Sequence, residues 1–225
     1  MALPPSGTIW LSQLRDEFGN WGPPNYLTHY YRGALTTANN LGVPTAGYIS
    51  LAHFHGAQKS VAGSWSRTAP GTYSFAVPVH STIRIDVRGS GGGGGGSTYD
   101  AGVTGQNGTA GASATVSSTG LTGRGGAAGQ GAYYNKPGKA ANGTASGGNT
   151  LNSTGGGSNG GVGGTYGATK GGDGGDGGRA VSDWAAGTLG VGAVLTVTVP
   201  SAGTGGAGQV RGANGTNGAV YISWT

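Results

Sequence analysis

Gly89-Ser90-Gly91-Gly92-Gly93-Gly94-Gly95-Gly96 opens a glycine-rich run that ends at Gly218. Of the chain's 54 glycines, 45 fall within these 130 residues. That is about one in three, against an ordinary share of ~7 %. Many are spaced by three: Gly102, Gly105, Gly108 and Gly111; Gly120, Gly123, Gly126 and Gly129; Gly171, Gly174 and Gly177; Gly212, Gly215 and Gly218. A period of three belongs neither to an α-helix nor to a β-strand. It fits a left-handed extended helix with three residues per turn and ~3.1 Å rise per residue. Such a helix bonds nothing internally, so neighbours must satisfy its amides and carbonyls. Glycine on the contact faces permits that approach. Collagen would need a strict repeat and abundant proline. Here the phase slips, and Pro137 is the only proline between Pro78 and Pro200. The pattern predicts polyglycine helices folded back and forth within one chain, over residues 89–193.

The flanks separate this from a disordered low-complexity tract. Tyr73, Phe75 and Val77 alternate with small residues, and Ile83, Ile85 and Val87 with Arg84, Asp86 and Arg88. Beyond most of the glycines, Leu195, Val197 and Val199 alternate with threonines, then Val220, Ile222 and Trp224 alternate to the end. Period two with one apolar face means half-buried strands. Strands are predicted over 72–77, 82–88, 194–199 and 219–224, joined in one antiparallel sheet that gathers the ends of the run. The glycine-rich domain is therefore 71–225, a β-sheet base carrying a bundle.

Residues 1–57 differ. They hold a short repeat: Ile9-Trp10-Leu11-Ser12-Gln13-Leu14, Tyr26-Leu27-Thr28-His29-Tyr30 and Ile49-Ser50-Leu51-Ala52-His53-Phe54. Ser12 and Thr28 suit helix N-caps, and Gly19, Gly33 and Gly56 suit helix ends. Three short helical turns are expected, forming a very small domain or one that a partner completes. Leu11, Leu14, Phe18, Leu27, Tyr30, Leu51 and Phe54 are its candidate attachment residues. Residues 58–70, with Trp65, read as a polar linker. The fold class is mainly β and irregular: a module of helical turns, an antiparallel base and a polyglycine bundle.

Only 8 % of residues are charged, and the net charge of +5 comes from scattered basic residues. Duplex nucleic acid calls for a clustered basic stripe. Weak attraction to polyanions such as bacterial surface polysaccharide is compatible. The chain has no cysteine, hence no disulfide framework or thiolate chemistry. Met1-Ala-Leu-Pro-Pro lacks the features of a signal peptide, and no apolar run approaches the ~18 residues of a membrane span. Synthesis in a cytoplasm and export by assembly into a particle is expected.

Ser6-Gly7-Thr8-Ile9-Trp10-Leu11-Ser12-Gln13-Leu14-Arg15-Asp16-Glu17-Phe18-Gly19, followed by Tyr30-Tyr31-Arg32-Gly33, resembles a motif of tailed-bacteriophage virion proteins. There it often reads S-G-x-I-S-L-S-x-L-R-x-E-F-G, with Y-Y-R-G downstream. Ala46–Gly56 resembles its closing repeat, with His53 and His55 as departures. Gly71–Pro78, Ile83–Gly89 and Gly215–Trp224 resemble the glycine-rich domain of phage tail-fibre and tail-tip proteins. The resemblance implies a virion protein of the phage tail, made in the host cytoplasm. It also implies docking on other tail proteins through residues 1–57 and a host-receptor role for variable loops. The receptor would be an outer-membrane protein or polysaccharide, and a homo-oligomer is expected. Aromatic residues between the period-three runs fall where helices should turn. Tyr99, Tyr133, Tyr134, Lys136 and Tyr166 are the candidate receptor contacts, since tyrosine offers rigid area and a hydroxyl at low entropy cost.

Other motifs weigh less. Gly89-Ser90-Gly91-Gly92-Gly93-Gly94 matches a dinucleotide fingerprint, but glycines from Gly95 onward cannot sustain the helix it needs. Gly156-Gly157-Ser158-Asn159-Gly160 matches a nucleophile elbow without its strand and helix. His53 and His55 lack further metal ligands nearby. Asp173 and Asp176, three apart, do not follow a nine-residue calcium repeat. Asn-x-Thr at Asn107, Asn142, Asn152 and Asn214 reads as chance in a chain without a secretion signal. No enzyme, cofactor, metal site or nucleic-acid partner is expected. The alternatives are a purely architectural virion component (a tail-tip plug, head fibre or decoration protein) and an ice-binding bundle. The irregular threonines disfavour the latter.

Overall fold

The computed structural model describes residues 2–19, 26–32, 36, 40–99, 103–133 and 137–225. It is mainly β, with one α-helix among the described residues, α1 (Leu11–Phe18), and two single 3-10 turns, Leu27–Tyr30 and Leu51–Phe54. No helix among the described residues is long and apolar enough to cross a membrane.

In chain order the strands are β1 (Gly63–Arg67), β2 (Gly71–Ala76), β3 (Thr82–Arg88), β4 (Ser97–Thr98), β5 (Ala114–Val116), β6 (Thr122–Gly123) and β7 (Ala132–Tyr133). They continue as β8 (Ala145–Ser146), β9 (Leu151–Ser153), β10 (Thr165–Tyr166), β11 (Thr169–Lys170), β12 (Arg179–Ala185), β13 (Val194–Val199) and β14 (Ala219–Trp224). The four anticipated strands are present within a residue of their predicted ends, but they do not share one sheet. β2 pairs with β13, and β3 with β14, in two separate five-stranded antiparallel sheets of order β1-β14-β3-β12-β9 and β2-β13-β5-β6-β8. Phe75, Leu195 and Val197 of one sheet face Ile83, Ile85, Val87, Val220 and Ile222 of the other in a common core. Alternation marks the inward face of a strand but not its partner, and two apolar faces close best against each other.

The supposed linker 58–70 contains edge strand β1, paired with the terminal strand β14. Ser64 and Ser66 point outward while Trp65 packs on the core, so its composition hides it. Gly63 leaves room for the Trp224 ring, which a Cβ there would overlap. The bundle is likewise not confined to 89–193. That range contains the sandwich strand β12, and two polyglycine segments, 202–208 and 210–218, lie beyond it.

Residues 89–97 form the bundle's axis, roughly 28 Å long at the polyglycine rise. Its N–H groups bond three neighbours in rotation: Gly89, Gly92 and Gly95 to carbonyls of Gly178, Gly175 and Gly172; Ser90, Gly93 and Gly96 to Ala112, Thr109 and Gln106; Gly91, Gly94 and Ser97 to Thr216, Ala213 and Val210. All three run antiparallel to the axis. Its carbonyls accept from three parallel neighbours: from Gly126, Gly129 and Ala132; from Ser158, Gly161 and Gly164; and from Gly203 and Gly206. These six segments bond one another in a closed ring of alternating direction. Residues 138–144 lie outside it against 124–130 and 171–178.

Crowding sets the glycine spacing. Every one of Gly91–Gly96 faces a neighbour, and a Cβ at any of them would come within 3.0 Å of a carbonyl. Segment 171–178 has two crowded faces and reads Gly-Gly-Asp. Segment 105–111 has its glycines, Gly105, Gly108 and Gly111, against the axis alone.

The amino-terminal module builds its own core from Leu3, Ile9, Leu14, Phe18, Tyr30, Val43, Phe54 and Ala57, with Leu11, Leu27 and Leu51 packed on it. Of the seven candidate attachment residues, Leu14, Phe18, Tyr30 and Phe54 are therefore core, while Leu11, Leu27 and Leu51 are half-buried against it. Large apolar residues at helical spacing satisfy each other first. Ser12 and Thr28 are not N-caps either, because the helical turns begin one residue earlier. The residue three positions past each cap closes the turn instead. Gln13 Oε1 accepts from Trp10 N–H at 2.7 Å, His29 Nδ1 from Tyr26 N–H at 3.5 Å, and His53 Nδ1 from Ser50 N–H at 3.0 Å. Gly19 does end α1, with φ +99° and its N–H on the Arg15 carbonyl. Gly33 lies outside the described residues.

Candidate functional site

Each polyglycine segment crosses the bundle once, so turns fall alternately at the sandwich and at the far tip. The tip receives Ser97–Tyr99, Ala132–Tyr133, the β10–β11 hairpin and the turn at Gln209. β4 pairs in parallel with β7, Ser97 bridges Val210, and Tyr166 pairs with Thr169. Ser97, Thr98 and Thr169 are buried and make a polar floor. Tyr99 and Tyr166 stand above it, 49 % and 42 % exposed. Their ring centroids are 6.3 Å apart, and Gln209 Oε1 accepts from the Tyr99 N–H at 2.9 Å.

The structure therefore brings Tyr99, Tyr133 and Tyr166, separated by up to 67 residues, to one end of the molecule. Tyr134 and Lys136 lie outside the described residues. The tip offers aromatic faces and hydroxyls on strands that the bundle holds, which suits recognition of a surface.

The other motifs are structural. Asp173 accepts from the Gly163 N–H at 2.7 Å and pairs with Lys170. Asp176 accepts from the Gly160 N–H at 2.8 Å and pairs with Lys139. Burial works to raise both carboxyls, but these bonds outweigh it and hold them below the ordinary value. Gly156–Gly160 lies in a bundle segment, with the Ser158 N–H on the Gly89 carbonyl. His53 turns to its own cap and His55 Nδ1 to the Pro4 carbonyl, 3.3 Å away. Among the described residues no group of three or more His, Cys, Asp or Glu could hold a metal.

The Asn-Gly-Thr triplets have a role that chance does not supply. Asn107, Asn142 and Asn214 Oδ1 accept from the N–H groups of Gly131, Asp176 and Gly205 at 2.7–2.9 Å. Each amide stands in for the carbonyl of an absent outer helix. Its glycine faces inward, and Thr109 and Thr216 bond across to Thr204 and Asn159. The signal was the triplet's recurrence in the frame of three. Asn214→Ala should cost about 1 kcal/mol by leaving the Gly205 N–H unpaired, roughly 3 °C in melting temperature. Asn214→Asp, which keeps the acceptor, should melt close to wild type; equal melting of the alanine variant would remove the stitching role.

No protein-family model, curated protein or solved structure matches this chain.

Proposed function

We propose that this chain is a tailed-phage virion protein of the tail tip or tail fibre that binds a host surface receptor through the bundle tip. The observation that carries the reading is the convergence of Tyr99, Tyr133 and Tyr166 at the end of the bundle away from the sandwich. A rigid scaffold loses little ordering entropy on contact, and several copies per virion would add avidity. The module would dock on other tail proteins. With four of its seven apolar candidates in the core, the contact residues are half-buried Leu11, Leu27 and Leu51 together with exposed Trp10, Tyr26 and Tyr48.

The test uses the full chain, since β1 belongs to the sandwich. Labelled protein should bind host cells saturably and block infection. Tyr99→Ala and Tyr166→Ala should each weaken binding about 30-fold, as truncated interface anchors do, at an unchanged melting temperature. A folded chain that neither binds nor blocks would favour the architectural alternative.

A further inference from the structure

A cleft of about 630 Å³ lies where the bundle meets the sandwich, away from the tip. Elements distant in sequence build it: Thr68 after β1, Arg88 of β3, Ser158 and Asn159 of 156–164, Asn217 of 210–218, and Tyr221 of β14. No carboxylate is among its described lining residues. Asn217 uses Oδ1 to accept from the Ala202 N–H, which leaves its amide hydrogens for a ligand. Among the described residues, the side chains of Thr68, Ser158 and Asn159 and the Tyr221 hydroxyl have no hydrogen-bond partner in the chain.

The cation is held in place. The Arg88 guanidinium lies 4.7 Å from the centroid of the Tyr221 ring. Its Nε and Nη2 bond Asp86, leaving Nη1. Arg179 also grips Asp86, through Nε at 2.9 Å and Nη2 at 2.8 Å. Two guanidiniums against one carboxylate leave a net positive charge beside the cleft. Hydroxyls, amides and a phenol match a ligand rich in hydroxyl groups. A fixed guanidinium matches one anionic group on it.

We propose that this cleft binds a sugar bearing an anionic group, a site separate from the tip and independent of any role for it. Calorimetry and side-chain amide NMR on the full chain would use three probes: trigalacturonate, the same trimer with its carboxyls reduced to alcohols, and glucose 6-phosphate. Trigalacturonate should bind and shift the Asn159 and Asn217 amides. The reduced trimer should bind about tenfold more weakly, the value of one charge-assisted bond. Arg88→Gln should weaken binding about tenfold and Asn159→Ala about threefold. Arg179 still holds Asp86 in the first variant, and Asn159 is exposed with its side chain unpartnered, so one folded variant is assured by the second. Binding of the sugar phosphate alone would support the site and name phosphate as its anion. Three results would each overturn the proposal: no binding of either anionic probe up to about 20 mM, equal binding of the reduced trimer, or no loss in folded Arg88→Gln and Asn159→Ala.

Discussion

Gly93→Ala is expected to destabilise the protein by about 4 kcal/mol, a fall of roughly 10 °C in melting temperature for a chain of this size. Gly93 lies at the middle of the axis. Its N–H bonds Thr109 and its carbonyl accepts from Gly129, at 2.9 and 2.8 Å. A Cβ would strike the Thr204 carbonyl inside 3.0 Å. That neighbour is backbone, so segment 203–206 must move outward. The shift strains the bonds from Gly203 and Gly206 to the axis carbonyls of Gly91 and Gly94. Overpacking costs ~1–3 kcal/mol, and two weakened hydrogen bonds add about 1 kcal/mol each. Gly138→Ala is the control, because a Cβ there meets nothing within 4 Å. It should be neutral or gain ~0.5 kcal/mol by restricting the unfolded chain. Thermal unfolding followed by calorimetry separates the two. Equal melting of both variants would mean that the axis does not require glycine.

Asp86→Ala is expected to cost about 3 kcal/mol by leaving two guanidiniums half-buried without their carboxylate. The Asp86 side chain is 10 % exposed, and its partners Arg88 and Arg179 are each about one-third exposed. Burial pushes the Asp86 carboxyl up, but hydrogen bonds from Arg179 and Arg88 prevail and hold it below its usual value. A depressed native pKa means the carboxylate's contribution is complete above the unfolded value, ~3.9. It is lost as pH falls from there through the native value. Wild type should therefore lose stability steeply below about pH 4, and Asp86→Ala, lower at neutral pH, should show a shallower acid limb. Parallel acid limbs in urea titrations would take Asp86 out of the acid response.

The features legible in the sequence were those with a local period. Three-residue glycine spacing exposed the bundle because crowding repeats once per turn, and alternation exposed β2, β3, β13 and β14. Pairing was not legible: β2 and β3 are alike in pattern yet lie in opposite sheets. β1 escaped because an edge strand with one inward Trp65 resembles a serine-rich linker. Leu14, Tyr30 and Phe54 were legible as the apolar side of one small domain, but not whether it would close on itself or need a partner. Of the tip, the turn positions could be read from breaks in the period. That Tyr99, Tyr133 and Tyr166 meet follows from counting crossings, since each run reverses direction once. The junction cleft had no such mark, because Arg88, Asn159, Asn217 and Tyr221 share no motif.

The axis draws its bonds from across the chain: Gly91 bonds Thr216 and accepts from Gly203, and β14 inserts between β1 and β3. The innermost segment is thus among the first of its domain to leave the ribosome, and its last partners follow it by more than 100 residues. The ring cannot close until Val210–Thr216 have been synthesised. Such distant pairings pay their loop entropy before any of it is recovered. Four of the six segments around the axis precede Gly203 in the chain, so the third of its N–H groups that faces Val210, Ala213 and Thr216 is the last to exchange solvent for protein.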